Sequence, residues 1–454
     1  MTLWSGRALV SLLVACSSGA APSPLAPGET PQPSGGVSGG PLGDTLTVFA
    51  VDSTTNAALA GARVLLGSGA DAYDAGVTGA DGRLVIAGLG ATPPAQTVTV
   101  SHAGYTAASW AGVSSATVTL PLTPPSPPDA TTSVTVSIPG YEKLPTLPAG
   151  HYRVAGFAPS LPIDLQTLEV DGALSATCPA SQSPTPCQAT IDQVPLTAKT
   201  LLAVVAEGDD MGTPDDLSDD TLTMTNVGVS TGLTLSQHGL VEVSMLSQDR
   251  VAYATIGVDH GSYAGDVIGV PGVTLGNQVI LYPTLTGQLD TFMVPTAVGA
   301  LSDSKLWAVA TASPLATGAA GGQTQPLGAS SSSWSRVYAR GIASPAAAQS
   351  ITISTDSFLD APSVQPAGGT YSLAAANGLV RLEFSSGGVE QLDVLLLPGQ
   401  TSFTPPVALG LTADQVGVLS FDVATLDTQS FSFSQIVGQA GRIAYTDIAL
   451  GNGQ

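Results

Sequence analysis

The sequence predicts an all-β protein built from tandem β-sandwich domains. Apolar and small polar residues alternate in short runs, such as TVTVS at 97–101 and SITIS at 350–354. The 454 residues include 52 Gly and 34 Pro, which interrupt the chain every few residues, as expected for strands joined by turns. No long segment has the 3.6-residue period of an amphipathic helix. The length corresponds to about three domains of roughly 150 residues each.

The charge balance restricts the partners. There are 34 acidic and 12 basic residues, and the formal net charge is −22. A chain this acidic repels nucleic acid and anionic lipid. Partners are therefore expected to be neutral, cationic or metal ions, and no nucleic acid is expected among them.

The first 16 residues indicate export. Arg7 precedes an apolar run at 8–15, which is far shorter than the roughly 20 residues of a membrane-spanning helix and is typical of a secretory signal. The sequence LVAC at 13–16 resembles the bacterial lipobox. That resemblance implies a lipoprotein signal peptide at 1–15 and lipid attachment at Cys16. It also implies a place in the cell envelope, at the bacterial outer membrane, facing the periplasm or the cell surface. An ordinary signal peptide or a misassigned start codon is the alternative.

Residues 16–43 are predicted to form a disordered tether. Pro, Gly, Ser and Ala dominate the segment, and no apolar period runs through it. Such a composition gives a chain that is part polyproline-like and part flexible coil. The tether would hold the folded body away from the membrane.

Residues 44–122 carry a set of motifs that predicts a small sandwich. Asp81-Gly82 separates alternating runs and signals a tight hairpin, after which Leu84 and Ile86 share one face. LTVFAVD at 46–52 and VTVSHAGYTA at 98–107 lie on either side. The order of these motifs resembles the carboxypeptidase regulatory-like domain, which has a transthyretin-like fold. The resemblance implies an accessory or binding module without catalytic residues.

The rest of the chain is divided by composition. Residues 123–131 form a proline-rich linker, and 132–345 form a β-rich region of one or two sandwich domains. Residues 346–454 combine alternation, a Tyr on a strand and evenly spaced turns. This last part resembles a fibronectin type III-like, Ig-like sandwich.

Cys178 and Cys187 are the two cysteines left after Cys16. An even pair around a short Pro/Ser loop in an exported chain predicts a disulfide, here interpreted as a staple on a hairpin. A redox or metal-binding role is the alternative, although it usually has other spacing.

An acidic segment follows at 207–220. It contains Glu207 and six aspartates, and no Lys or Arg lies between Lys199 and Arg250. Carboxylates between strands can supply the six to eight oxygens that Ca²⁺ binds, although the spacing is not that of an EF-hand. A solvated acidic loop is favoured over a Ca²⁺ site, and no other cofactor is expected. The aspartates are Asp209, Asp210, Asp215, Asp216, Asp219 and Asp220.

The segment around Trp334 offers a contact surface. In an extended strand Trp334, Arg336 and Tyr338 project to one face, where they could contact an envelope protein or a glycan. The favoured alternative has the rings packed partly inward, with arginine stems lying over them.

No catalytic constellation is predicted. GVSTG at 228–232 has the letters of a nucleophile elbow, but alternating residues follow it, which favours a strand at Ser230. The function predicted from sequence is a non-catalytic, lipid-anchored structural or binding protein of the cell envelope. A Ca²⁺-dependent glycan-binding adhesin and a hydrolase with an unfamiliar site are the alternatives.

Overall fold

The structure is a computed structural model in which strands dominate. It describes residues 31–32, 34–124, 131–162, 175–183, 185–196, 198–213, 220–235, 239–259, 267–275, 278–283, 285, 288–296, 301, 304–312, 333–343, 347–354, 358–374, 378–423, 426–433 and 441–450. Within these ranges the predicted all-β class is confirmed.

The first eight strands precede the proline-rich linker. They are β1 (Gly36–Pro41), β2 (Thr45–Asp52), β3 (Arg63–Leu66), β4 (Tyr73–Val77), β5 (Arg83–Ala87), β6 (Gln96–Ser101), β7 (Ala107–Val113) and β8 (Ser115–Leu122).

The middle of the chain supplies fifteen described strands. They are β9 (Thr131–Ser137), β10 (His151–Pro159), β11 (Leu161–Pro162), β12 (Ala176–Ser181), β13 (Gln188–Pro195), β14 (Thr200–Asp209), β15 (Thr221–Thr231), β16 (Leu240–Glu242), β17 (Val251–Asp259), β18 (Val267–Leu275), β19 (Gln278–Leu281), β20 (Gln288–Pro295), β21 (Lys305–Ala312), β22 (Ser333–Ala343) and β23 (Gln349–Ser354).

The last described strands begin at residue 363. They are β24 (Ser363–Ala367), β25 (Thr370–Ala374), β26 (Leu379–Ser386), β27 (Val389–Leu396), β28 (Ser402–Phe403), β29 (Gln415–Asp422), β30 (Phe431–Ser432) and β31 (Arg442–Ala449).

One long sheet connects the parts of the chain. This central sheet has thirteen strands in the order β11-β19-β18-β21-β22-β31-β29-β26-β27-β7-β6-β3-β4. Its parallel pair β7–β27 joins the first part of the chain to the last, with Ala107 opposite Leu392. The units predicted at 44–122 and 346–454 therefore share a sheet.

Four smaller sheets cover the central sheet or each other. A five-stranded sheet (β30-β1-β8-β2-β5) packs on one face of the central sheet through a core that includes Val48, Leu120 and Trp110. On the opposite face lie a seven-stranded sheet (β12-β10-β14-β15-β20-β17-β23) and a three-stranded sheet (β24-β25-β28). Another three-stranded sheet (β13-β9-β16) covers the far side of the seven-stranded sheet.

Strand β14 shows why its sequence is a continuous apolar run. Leu202 and Val204 face the core shared with the central sheet, whereas Leu201 and Val205 face the core shared with β9 and β13. A strand covered on both faces needs apolar residues at every position. The run LLAVVA at 201–206 meets that need, and β14 lies at the centre of three layers.

The N-terminal end of the described chain corrects the predicted tether. Residues 36–41, assigned to the tether at 16–43, form β1, which pairs with β8 on one side and β30 on the other. Val37 is fully buried between the sheets. One buried valine and backbone pairing on both edges are sufficient for a strand, although the composition is that of a linker. Cys16 and the remainder of the tether below residue 31 lie outside the described residues.

The predicted Asp81-Gly82 hairpin is also wrong. A turn is present, because Gly82 has φ +68° and its N–H donates to the Gly79 carbonyl at 2.9 Å. However, β4 pairs with β3 in the central sheet, and β5 pairs with β2 in the five-stranded sheet. The turn thus carries the chain between two layers. Leu84 and Ile86 contact the same core, as predicted.

The disulfide Cys178–Cys187 is confirmed, with an S–S distance of 2.09 Å. Its interpretation as a hairpin staple is wrong, because β12 pairs with β10 while β13 pairs with β9 in the facing sheet. Both cysteines belong to the core between these two sheets and are nearly inaccessible to solvent. The disulfide therefore links two layers of a sandwich.

Candidate functional site

The described residues form a cleft beside the junction of β7 and β27. Its cavity volume is about 340 Å³. The first part of the chain and the last part each supply one wall. The lining residues are Arg63, Ser101, Tyr105, Ala107, Gln391, Ala408, Leu409, Gly410 and Leu411.

Arg63 is held in place by a carboxylate on the neighbouring strand. Its Nε lies 2.8 Å from Asp74 Oδ2, and the Gly76 N–H donates to Asp74 Oδ1 at 3.0 Å. The hydrogen bond from Arg63, followed by that from Gly76, lowers the pKa of Asp74. The ion pair is exposed, so its contribution to stability is small. Its effect on the site is to orient the guanidinium.

Tyr105 enters the cleft from the turn before β7. Gly104 has φ +81°, a conformation that glycine adopts without steric cost, and the tyrosine hydroxyl donates to Asp52 Oδ2 at 2.9 Å. Asp52 also accepts from the N–H groups of Thr54 and Thr55. Burial opposes ionisation of Asp52, but these hydrogen bonds outweigh it and lower its pKa. The bond to Asp52 in turn raises the pKa of Tyr105, so the hydroxyl remains a donor.

Gln391 supplies a fixed amide on the opposite wall. Its Nε2 donates to Thr412 Oγ1 at 3.1 Å, and its Oε1 accepts from the Thr412 N–H at 3.0 Å. Beside it, a single 3-10 turn at Val407–Leu409 ends at Gly410, where φ is +62°. That turn presents Ala408 and Leu409 to the cleft.

A buried charge cluster lies next to this wall, on β26 and β27. Arg381 is 3% exposed, and Asp393 accepts from it with both oxygens at 2.7 and 3.1 Å. Glu383 Oε1 is 2.6 Å from Arg381 Nη1, and Glu390 Oε1 is 3.8 Å from Nη2. Burial, followed by the charge of Asp393, raises the pKa of Glu390 from 4.5 to about 8, although Arg381 opposes the change. Glu390 is therefore mostly protonated at pH 7.

The acidic segment is only partly described, and its first carboxylate is paired with an arginine from a neighbouring strand. Glu207 does have a cation, because Arg153 lies opposite it across β10–β14 and its Nη2 is 2.6 Å from Glu207 Oε1. Arg153 lies on another strand, outside the interval from 199 to 250 that contains no Lys or Arg. Asp209 and Asp210 accept from the N–H groups two residues further on, those of Met211 and Gly212.

Asp220 is the buried member of this segment. It is fully inaccessible, and its Oδ2 accepts from the Tyr152 hydroxyl at 2.6 Å. Burial, followed by this bond, raises the pKa of Tyr152. Among the described residues, Asp220 Oδ1 has no hydrogen-bond partner. Asp215, Asp216 and Asp219 lie outside the described residues. The described residues contain no grouping of three potential metal ligands, and the Ca²⁺ site stays a prediction.

The Trp334 segment adopts the inward-packed arrangement. The Trp334 ring stacks on Tyr445 with centroids 5.5 Å apart, and the Arg336 guanidinium lies 3.9 Å from the Trp334 centroid. Arg336 is 2% exposed, and within the described part of the chain its Nε and Nη1 have no hydrogen-bond partner. The side chain of Tyr338 lies outside the described residues. A contact role for this segment stays a prediction.

Ser230 lies within β15, opposite Leu201 on β14. The strand-to-helix bend of a nucleophile elbow is not formed at this position. The alternation that followed GVSTG in the sequence thus predicted the local structure correctly.

Comparison with known proteins gives neither a family nor a curated relative. No protein-family model matches the chain. No curated protein matches it. Within the part of the chain that the structure describes, no helix has the length and apolarity required to cross a bilayer.

Some solved structures share similarity with the chain. The Bacillus anthracis TIE protein aligns with 69% of this chain and 50% of its own, at 9% identity and a TM-score of 0.15. The chain thus spans about half the length of that protein. BcpA, the major pilin subunit of Bacillus cereus, aligns over 68% of this chain and 98% of its own, at 10% identity and a TM-score of 0.14. Two B repeat units of the collagen binding protein of Staphylococcus aureus align over 90% of this chain and 93% of their own, at 10% identity and a TM-score of 0.13.

Sequence reasoning missed Arg63 and Gln391. The lining residues of the first part of the chain are joined by the pairs β3–β6 and β6–β7, and the parallel pair β7–β27 adds those of the last part. A usable signal was the rarity of cations. The chain has only 12 basic residues, so an arginine within an alternating, strand-like segment, such as Arg63 in ARVLL at 62–66, is an unusual residue that could have been singled out.

Proposed function

We propose that this protein is exported, lipid-anchored at Cys16 and active at the cell envelope as a non-catalytic structural or binding protein. The observation that carries the proposal is the disulfide Cys178–Cys187 between two sheets. Disulfides persist in exported proteins and are rare where thiols are kept reduced. The signal-like residues 1–15 and the lipobox-like LVAC at 13–16 support the same address. The outer membrane of a bacterium is the proposed location, with the body facing the periplasm or the surface.

The architecture supports a structural or binding role. The first and last parts of the described chain share the central sheet and one core, so they are rigidly joined. A body of this kind can present a surface whose shape is fixed by the shared sheet and core. The proposed partners are an envelope protein or a glycan.

The test is the intact mass of the protein extracted from membranes of the native host. The expected mass is that of a chain starting at an acylated Cys16, and it should increase by the mass of two hydrogens on reduction. Cys16→Ser is expected to retain Met1 and to leave the membrane fraction. A matched control, Ser17→Ala, leaves the cysteine intact and is expected to be processed normally. A wild-type chain that keeps Met1 and lacks lipid would contradict the proposal.

A Ca²⁺-dependent glycan-binding adhesin is the second candidate. The observation that favours it is Asp220, which is fully buried at the end of the acidic segment and whose Oδ1 finds no partner among the residues that the structure describes. A divalent cation is one species that such an oxygen binds. Ca²⁺ is expected to raise the melting temperature of the wild-type protein and not that of Asp220→Asn. Equal melting temperatures with Ca²⁺ and with chelator would dismiss this candidate.

A further inference from the structure

We propose that the cleft between Arg63 and Gln391 binds a neutral carbohydrate of one or two sugar rings. The inference rests on the proposed binding role and gives it a site and a ligand class. The cavity volume of about 340 Å³ lies at the lower end of the range for small-molecule sites. A site of that size fits a small ligand or the end of a longer chain.

The polar side chains of the cleft are fixed before any ligand arrives. Asp74 holds Arg63 through Nε, Asp52 holds the Tyr105 hydroxyl, and Thr412 holds both ends of the Gln391 amide. Each of these partners is absent from the cleft lining itself. Side chains that are already ordered lose little conformational entropy on binding.

Donors and acceptors remain for a ligand. The Nη atoms of Arg63 carry four N–H donors, and they make no hydrogen bond within the described chain. Gln391 keeps one N–H and one lone pair after its two bonds to Thr412. Ser101 adds a hydroxyl. A guanidinium and an amide that line the same cleft offer donors and an acceptor to adjacent hydroxyl groups, which both donate and accept.

The apolar part of the lining suits the carbon face of a sugar ring. Ala107, Ala408 and Leu409 supply small aliphatic surface, and Tyr105 adds an aromatic ring. Burial of C–H groups against such surface is favourable, and an aromatic ring combines apolar area with a polar end. The cleft thus has apolar surface for the C–H groups and hydrogen-bonding groups for the hydroxyls, the two kinds of surface that a pyranose presents.

The charge distribution selects a neutral ligand over an acidic one. The guanidinium of Arg63 is balanced by Asp74, and the carboxylate of Asp52 lies behind Tyr105. The chain as a whole carries a formal charge of −22. An acidic sugar would meet no net positive charge at the cleft and a negative field on approach.

The test is saturation-transfer NMR on the full chain with methyl glycosides of glucose, galactose, mannose and N-acetylglucosamine, their disaccharides, and glucuronate and galacturonate as acidic counterparts. At least one neutral saccharide is expected to bind more tightly than either acid. Its affinity is expected to change little between about 50 mM and about 500 mM NaCl, because no charge is neutralised. Binding is also expected to be unchanged when a chelator is added, which distinguishes this cleft from the Ca²⁺ site predicted in the acidic segment.

Three variants locate the binding. Gln391→Ala and Arg63→Met are each expected to weaken binding by at least about tenfold, because each removes hydrogen bonds to a ligand held in a partly dry site. Ala408→Phe fills the cleft from an exposed position and is expected to abolish binding without loss of folding. The matched control is Arg83→Met, since Arg83 is also an exposed strand arginine near an aspartate. It is expected to leave the affinity unchanged.

The outcomes against the inference are specific. It is overturned if no neutral saccharide in the panel binds, if an acidic sugar binds more tightly, or if Ala408→Phe binds like the wild type. Each of these results leaves the intact-mass test of the lipid anchor unaffected. Failure of the cleft is therefore distinguishable from failure of the proposed envelope function.

Discussion

Glu390 is expected to make the folded protein less stable as the pH rises. Three carboxylates surround the one guanidinium of Arg381, and the Glu390 side chain is 17% exposed. Its pKa is about 8 in the folded chain, against an ordinary value of 4.5. A carboxyl whose pKa is raised on folding binds its proton more tightly in the folded state. As far as this group is concerned, the free energy of unfolding is at its maximum below pH 4.5 and falls progressively up to about pH 8.

The substitution Glu390→Gln removes this penalty. At roughly 1.4 kcal/mol per pKa unit, the difference between 4.5 and about 8 sets an upper limit near 5 kcal/mol. Partial exposure and rearrangement of Arg381 reduce this, and a gain of about 2–4 kcal/mol at pH 9 is expected. At pH 4 the two proteins should be nearly equal, because the glutamate is then protonated in both states.

The assay is urea unfolding at several pH values between 4 and 9, followed by tryptophan fluorescence. The expected result is a midpoint that falls with pH in the wild type and falls less in Glu390→Gln. Glu142→Gln is the matched control, since Glu142 is exposed, and its midpoint should follow the wild type. Parallel curves for the wild type and Glu390→Gln would refute the reasoning.

Two further predictions concern stability. Replacing Cys178 and Cys187 by alanine is expected to lower the free energy of unfolding by about 2–3 kcal/mol, as estimated for closing so short a loop. Denaturant midpoints with and without reductant check this, and a reductant-insensitive wild type would contradict it. Gly82→Ala is expected to cost more than about 2 kcal/mol, because φ is +68° and a Cβ would lie 2.7 Å from the Ala50 carbonyl oxygen. Gly61→Ala, with φ +75° and open space around it, is the control and should cost only about 1 kcal/mol in the same denaturant titrations.

The features predictable from sequence were those carried by neighbouring residues. The alternation of β9 buries Val134 and Val136 and leaves Ser133, Thr135 and Ser137 partly exposed. The cysteine pair was also a local signal, and the structure confirms the disulfide.

The features missed depend on pairing between distant segments. The sequence GVSGGP at 36–41 has a single large apolar residue, and its strand exists because β8 and β30 offer free edges to it. The sheet position of β5 depends on β2, about 40 residues earlier, whereas the Asp-Gly signal reports only the turn. The cleft likewise depends on the pairing of β7 with β27, and the periodicity of neighbouring residues does not show which distant strands pair.

Under the proposed anchoring, mechanical load would enter the folded body at β1 and at the two residues just before it that are hydrogen-bonded to the body, Gln32 and Ser34. Gly36 and Val37 are paired with Thr119 and Val118 on one side and with Ser432 and Phe431 on the other. A pull applied through the residues that precede β1 would therefore act at the same position on β8 and on β30, which belong to the first and the last part of the chain. Tension along the strand would strain its hydrogen bonds together, whereas a sideways pull would break them one after another. Under the proposed anchoring, the direction of pull would decide how long the body stays folded under flow.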